Sequence, residues 1–367
     1  MLRSDRLERL YSRREPNIKT ANFSANAESS TTTKAANAAN VPDYRYISGA
    51  MRPIDSDSTE QAFREAERVK STLASSLPAR FLAEFDLQGS VTSDTHIRIH
   101  SDIDLLVLTR LFASSQSGTT IPLRQQDQVI AELTLLRDDA AKALRTGFPL
   151  SNLDTSSGKA LGLSGYPLER KIDVVIGNWW DTDLYNQYKV KMARGINILD
   201  HRVRQQIKNL PFLHNFRINQ KDEETGGLRK VIRLLKTLKY DSSPQLSISS
   251  YDIAAIAFNM SKEALTVKEG AFLSLATNAA GELKRFVDNS FLRESLNVPN
   301  GMRKVFCDAG ASLEGMKSLH AALMEALGNI QRASMRGVIE LNEGWDTLAQ
   351  TIWREATPNS VRKHLSW

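Results

Sequence analysis

Three aspartates in apolar surroundings, Asp102, Asp104 and Asp173, are the residues of this chain best suited to chemistry. The first two stand in Ser101-Asp102-Ile103-Asp104-Leu105-Leu106-Val107-Leu108, a strand-like run. Alternate side chains of a strand share a face, so Asp102 and Asp104 point one way while Ile103 and Leu105 point into the core. Asp173 lies in a second run of the same kind, Lys171-Ile172-Asp173-Val174-Val175-Ile176. Charge in such strands is costly unless a cation or a basic group answers it. Mg²⁺ or Mn²⁺ is the natural cation, being a hard ion that takes oxygen ligands and shares its shell with phosphates. If the two strands are neighbours, the three carboxylates suffice to hold two ions about 3.5–4 Å apart, the arrangement used for in-line phosphoryl displacement. One ion would activate a ribose hydroxyl and the other would neutralise a triphosphate, with Asp173 binding the first ion and taking or orienting the nucleophile's proton.

Other residues suit the same chemistry. Gly89-Ser90 forms a small turn ahead of the aspartates. There the glycine allows close approach of a phosphate, and the Ser90 hydroxyl and backbone N–H groups can donate to it. In Leu228–Tyr240 the residues Leu228, Val231, Ile232, Leu234, Leu235 and Leu238 make one broad apolar helix face. Arg229, Arg233 and Lys236 line the adjoining stripe, and Lys236 at its border can bury its stem and offer its ammonium to a cleft. Ile248-Ser249-Ser250-Tyr251-Asp252 opens another helix, where a serine can meet a phosphate and a tyrosine can stack on a base. Taken alone, that segment reads as an N-cap followed by a core tyrosine. Ser156-Ser157-Gly158-Lys159 lacks the upstream glycine of a phosphate-binding loop and reads as a turn. His96 and His100 flank a turn and a strand, which is the wrong setting for a helical metal pair.

The elements that must position these groups follow from periodicity. Residues 1–43 read as a flexible tail, with 17–40 rich in Ala, Asn, Ser and Thr. Tyr44, Tyr46, Ile47, Met51 and Ile54 suggest a short arm packed on the body. Residues 58–78 have helical spacing with Ser58 as N-cap, and 125–146 have it again through Val129, Leu133, Leu136, Ala140 and Leu144. Strands are expected over Phe81–Gln88, Asp102–Thr109 and Lys171–Ile176. Beyond about residue 195 the pattern is helical, over Leu228–Tyr240, Ser250–Met260, Ala271–Phe291 and Ala311–Ile330. The expectation is an α+β catalytic core over 44–195, a helical lobe over 196–367, and a cleft between them that holds the site.

Composition narrows the class. The chain has 367 residues, a net charge of +6 and a single cysteine, Cys307. One cysteine excludes a disulfide framework and a cysteine-based zinc site, and it suits a cytoplasmic protein. No run approaches the roughly 18 apolar residues of a membrane helix, and the charged N-terminus is not a secretory signal. A modest positive charge is accounted for by a nucleotide cleft and does not call for DNA.

In combination these motifs resemble a known family. Gly89-Ser90, Thr95-x-Ile97, Asp102-x-Asp104 and Asp173 resemble the polymerase-beta-like nucleotidyltransferase superfamily. Thr225-Gly226-Gly227-Leu228 through Lys236 resembles the spine helix of the bacterial cGAS/DncV-like nucleotidyltransferases (CD-NTases), and Ile248-Ser249-Ser250-Tyr251 is similar to their nucleotide-holding Ser-Ser-Tyr stretch. The resemblance spans roughly residues 45–300. It implies a mixed sheet with helices, a helical C-terminal lobe, and two Mg²⁺ or Mn²⁺ ions on Asp102, Asp104 and Asp173. It further implies nucleoside triphosphate substrates, with Lys236 and Ser250 on the donor triphosphate and Tyr251 against a base. The product would be a cyclic di- or trinucleotide or short oligonucleotide serving as a second messenger in anti-phage (CBASS) signalling, with room for a regulatory or activating protein. No double-stranded DNA partner is implied, because a cysteine/histidine zinc insertion is missing. The chain departs from the family pattern at Asp94, where a small residue or glycine often stands.

Two other readings compete. The same chemistry can serve to modify a protein, a tRNA end or a small molecule, as in toxin- or resistance-type relatives. A non-catalytic module that binds nucleotide or RNA is the third, and the presence of all three aspartates weighs against it. The sequence does not choose the bases, the linkage or the oligomeric state.

Overall fold

The computed structural model describes residues 3–14, 41–98, 101–115, 123–308 and 310–335. It begins with helices α1 (Arg3–Arg14), α2 (Pro42–Met51) and α3 (Ser56–Ser76), then strands β1 (Ala83–Gln88) and β2 (Ile103–Ser115). Next come α4 (Leu123–Gly147), β3 (Asn152–Asp154), β4 (Leu161–Ser164), β5 (Ile172–Asp181) and α5 (Asp183–Tyr188). After β6 (Arg194–Asp200) and β7 (Gln205–Asn209) the chain is helical: α6 (Pro211–Thr225), α7 (Leu228–Asp241), α8 (Ser250–Phe258) and α9 (Lys262–Leu265). It continues through α10 (Phe272–Asp288), α11 (Ser290–Ser295) and α12 (Leu313–Met335).

The chain divides into two units, Ile54–Gln220 and Met1–Pro53 with Lys221–Trp367. This differs from the division at 43 and 195 expected from composition. Strands β6 and β7 extend the sheet past residue 195, because β6 pairs antiparallel with β5 and β7 with β6. At the other end, α2 belongs with the helices and not with the sheet; its Tyr46, Ile47 and Met51 are buried there. The expected tail also begins with a packed helix, since α1 buries Leu10 to 1% exposure. The stretch 17–40 lies outside the described residues.

The sheet unit is built on β5, a strand apolar on both faces and buried accordingly. It runs parallel to β2 on one side and pairs with β4 and then β6 on the other, giving the order β1-β2-β5-β4-β3. Helices α3 and α4 cover one face: Val69, Leu73, Leu133 and Leu136 pack with Ile103, Leu105 and Val174. Each fully buried side chain of this kind contributes about 1.5–3 kcal/mol against exposure. The opposite face carries a smaller cluster with Leu106, Leu108, Val175 and Trp179. The N-cap of α3 is Asp55, whose carboxylate accepts from the N–H groups of Asp57 and Ser58. Sequence favoured Ser58; Asp55 caps equally well, and its charge also answers the helix dipole.

In the helical unit α7 is central and packs against α2, α8 and α12. Its expected apolar face is buried throughout, Leu228, Val231, Ile232, Leu234 and Leu235 being wholly inaccessible. Two charged side chains of this helix, Arg233 and Asp241, are answered within the helical unit. The Arg233 Nε donates to the Met51 carbonyl at 2.9 Å. Asp241 accepts from both terminal nitrogens of Arg13 and, at 2.9 Å, from the Tyr46 hydroxyl. No described helix is long and apolar enough to cross a membrane.

Candidate active site

The pairing of β2 with β5 sets Asp104 directly opposite Asp173. Neighbouring strands lie about 4.8 Å apart, so these carboxylates meet on one face of the sheet. The row continues on both sides: Gln88 of β1 stands opposite Asp104, Gly162 of β4 opposite Asp173, and Asp154 of β3 opposite Gly162. Asp102 stands just ahead of β2, because the ladder begins where the Ile103 N–H donates to the Lys171 carbonyl at 3.1 Å. Its side chain is 48% exposed.

Like charges across adjacent strands repel, and burial deepens the penalty. Asp104 bears it most: burial first, then Asp173 and Asp102, raise its pKa from 3.8 to about 7, against the pull of Lys171. Two basic side chains lean on the other aspartates. The Lys171 Nζ lies 2.7 Å from Asp173 Oδ1, and an Arg98 Nη lies 3.9 Å from Asp102 Oδ1. Partial burial works against the Lys171 charge, yet the hydrogen bond to Asp173 and the surrounding carboxylates hold its pKa above the ordinary lysine value. Sequence reasoning passed over both. Lys171 was legible, since it precedes Asp173 by two residues and therefore shares its face.

The Gly89-Ser90 turn comes to the same place. Gly89 has φ +95°, and a Cβ on it would sit 2.6 Å from Asp104 Oδ2. The position needs glycine twice, for backbone and for space. The turn is tied by the Ser90 carbonyl accepting from the Thr95 N–H at 2.8 Å and by the Gly89 carbonyl accepting from the Thr92 hydroxyl at 2.9 Å. Asp94, the departure from the family pattern, adopts φ +50°. It occupies a glycine-like conformation that aspartate tolerates better than most residues, so the loop keeps its shape.

Lys236, Ser250 and Tyr251 lie in the helical unit. Lys236 is buried to 6% exposure on α7. Ser249, not Ser250, caps α8: its hydroxyl accepts from the Asp252 N–H at 2.9 Å and donates to the Asp252 carboxylate at 2.6 Å. That leaves Ser250 as the first helical residue. Tyr251 is 37% exposed, its hydroxyl donates to Asn300 at 3.3 Å, and Arg303 lies 5.4 Å from its ring centre. A cavity of about 400 Å³ beside the start of α8 is lined by Lys239, Gln245, Ser247, Ser249 and Asp252, and by none of the three expected residues. Lys239, one turn beyond Lys236 on α7, is a basic residue that sequence reasoning missed. Ser156–Lys159 forms the expected irregular turn, with Gly158 accepting from the His201 N–H at 2.8 Å.

The donor set at the row is carboxylate oxygen alone, crowded enough to raise Asp104 to about 7, and this fits a hard divalent cation. Among the described residues no three His, Cys, Asp or Glu side chains already close on a metal position. Asp173 is turned to Lys171 and Asp102 toward Arg98.

Such a mixed sheet, with helices on one face and an acidic row on the other, defines a polymerase-beta-like nucleotidyltransferase fold, and solved structures agree. The chain superposes on a STING-associated CdnE c-di-GMP synthase from Capnocytophaga granulosa with a TM-score of 0.71 at 28% identity, over 90% of this chain and 99% of that one. A second STING-associated CdnE c-di-GMP synthase, from Flavobacteriaceae sp., shares the fold with a TM-score of 0.74 at 21% identity, over 90% and 98% of the two chains. In sequence, the chain is 38% identical over 281 residues to the cyclic dinucleotide synthase CdnE of Yersinia aleksiciae, covering 74% of this chain and 73% of that protein. It is 30% identical over 305 residues to a c-di-GMP synthase of Capnocytophaga granulosa, covering 77% and 85%. No protein-family profile matches the chain. The chain belongs to the bacterial cGAS/DncV-like nucleotidyltransferases, the family of the CdnE cyclic dinucleotide synthases.

Proposed function

We propose that this enzyme joins two nucleoside triphosphates into a cyclic dinucleotide on the acidic row, releasing two pyrophosphates. The observation that carries the reading is the alignment of Asp104 with Asp173, with Asp104 raised to about 7 by burial and by its two acidic neighbours. Asp102, Asp104 and Asp173 would hold two Mg²⁺ or Mn²⁺ ions, which when bound supply charge neutralisation at the triphosphate and a more acidic ribose hydroxyl. Asp173 orients that hydroxyl and takes its proton as the oxygen attacks the α-phosphorus and pyrophosphate departs. A second transfer of the same kind closes the ring. Gly89 and Ser90 present backbone N–H groups and a hydroxyl to the triphosphate. Lys236 and Ser250 contribute charge and a hydrogen bond to the donor phosphates, and Tyr251 stacks on a base. The product acts as a second messenger in anti-phage signalling, and a regulatory protein sets when the enzyme works. Two relatives named c-di-GMP synthases, at 29% and 30% identity, make GTP the first substrate to try.

The test incubates the purified chain with labelled ATP, GTP, CTP and UTP, singly and mixed, with Mg²⁺ or Mn²⁺, followed by phosphatase. A phosphatase-resistant product, absent from an Asp102→Ala/Asp104→Ala control, supports the reading and names the bases. Label transferred to an added protein or RNA, with no resistant nucleotide, overturns it in favour of the modifying transferase.

A further inference from the structure

We propose that Lys171 is an internal competitor for the metal: its ammonium holds Asp173 in the metal-free enzyme and must be displaced when a divalent ion binds. The inference rests on the reading of Asp102, Asp104 and Asp173 as metal ligands and adds a residue that tunes them. Lys171 is a positioning residue in this scheme, acting through its ion pair with Asp173.

Geometry argues for more than an incidental pair. Lys171 stands just ahead of β5, two residues before Asp173, and its ammonium lies 2.7 Å from the Oδ1 that a metal would need. The lysine stem reaches this point by lying across Gly162 on the neighbouring strand. A Cβ on Gly162 would meet Lys171 Cε at 2.7 Å, Lys171 Nζ at 3.3 Å and Asp173 Oδ1 at 3.3 Å. Gly162 is not among the glycines with positive φ, so its backbone does not require glycine; the space above it does. A glycine inside a strand weakens it, and here the vacated volume is filled by the lysine arm.

The arm also has somewhere to go. Asp154 stands opposite Gly162 in the same row, on the side away from Asp173, and interacts electrostatically with Lys171. An ammonium released from Asp173 therefore finds a second carboxylate on the same face. A divalent ion and an ammonium cannot share Asp173 without strong repulsion, so each ion bound costs the Lys171–Asp173 pair. The resident lysine lowers metal affinity and keeps Asp173 answered until metal arrives.

The test measures Mn²⁺ binding to the full chain, without nucleotide, by the electron paramagnetic resonance signal of free Mn²⁺. Lys171→Met should bind Mn²⁺ tighter by about three- to fivefold, the range set by a partly exposed ion pair. Lys171→Arg, which keeps the charge, should stay within about twofold of the parent, again on the scale of exposed pairs. Gly162→Ala crowds the arm off Asp173 and should tighten binding too, but should add nothing on the Lys171→Met background. Asp104→Asn is the site control, and thermal melts establish that each variant is folded. Unchanged or weaker Mn²⁺ binding in Lys171→Met, with binding lost in Asp104→Asn, overturns the competitor role and leaves the metal site standing. Binding that survives Asp104→Asn overturns the metal site and this inference with it.

Discussion

Asp241 in the helical unit and Asp104 in the sheet unit are both carboxylates taken largely out of water, and their surroundings differ. Asp241 is 1% exposed and fully answered, with two N–H groups from Arg13 and the hydroxyl of Tyr46, whose proton is held by burial and by Asp241 itself. Asp104 faces Asp173 across the ladder, has Asp102 nearby, and is pushed up to about 7. The charge of Asp241 is neutralised by the chain's own side chains and serves stability. At Asp104 it is left in excess, which costs stability and makes a place for cations. The same amino acid thus has opposite energetic signs in two regions of one chain, and the sign separates structural carboxylates from those fitted to chemistry.

The largest effect that would break this comparison is on turnover. Asp104→Ala or Asp173→Ala should lower cyclic-nucleotide synthesis by about a thousandfold or more, the scale of losing metal-assisted charge stabilisation, read as product per enzyme per minute. Asp104→Asn should at the same time raise the melting temperature of the metal-free protein. If it lowers that temperature instead, Asp104 is a structural carboxylate like Asp241.

The converse substitution lies in the helical unit. Arg13→Ala removes the partner of a buried carboxylate and should destabilise by about 2–4 kcal/mol, less than a wholly buried pair because Arg13 retains some exposure. Urea unfolding measures it, and a loss under about 0.5 kcal/mol, the range of an ordinary surface change, would show that α1 does not secure Asp241.

Smaller effects sharpen the contrast. Gly89→Ala puts a methyl group 2.6 Å from Asp104 Oδ2 at a φ of +95° and should cost about 1–3 kcal/mol of stability. Its cost in turnover should exceed its cost in nucleotide affinity, because the clash falls on the aspartate; steady-state kcat and KM separate the two.

The pH dependence is the finest test. Asp104 in the folded, metal-free protein titrates near 7 against an ordinary 3.8, so the fold binds an extra proton between those values. Its contribution is fully present below about pH 4 and is lost as pH rises through about 7. The melting temperature of Asp104→Asn minus that of the parent should therefore widen from pH 5 to pH 8. A constant difference would mean that Asp104 ionises normally.

Much of this architecture was legible in the chain. Apolar runs around Ile103–Leu108 and Ile172–Ile176 gave two strands that carry aspartates, and 3.6-residue spacing gave α3, α4 and the buried face of α7. These are local signals, repeated at every turn or pleat, and burial reinforces them. The cap of α3 moved from Ser58 to Asp55 and that of α8 fell on Ser249, since competing polar residues near a helix start differ by little in local energy. The chain just beyond 195 was read as helical for a different reason: β6 and β7 carry mixed polar and apolar residues, and pairing in the sheet makes them strands.

The sequence by itself determined which residues could carry the chemistry and the faces of the elements that bear them, because both follow from residue type and period. Tertiary structure alone decided that Asp104 and Asp173 stand in register, that Gly162 makes room for Lys171 between Asp173 and Asp154, and that Arg13 from the chain's start answers Asp241. Register and long-range ion pairs join residues far apart in the chain. They are set by the sum of packing over a whole sheet or helix bundle, and no local window of sequence contains that sum.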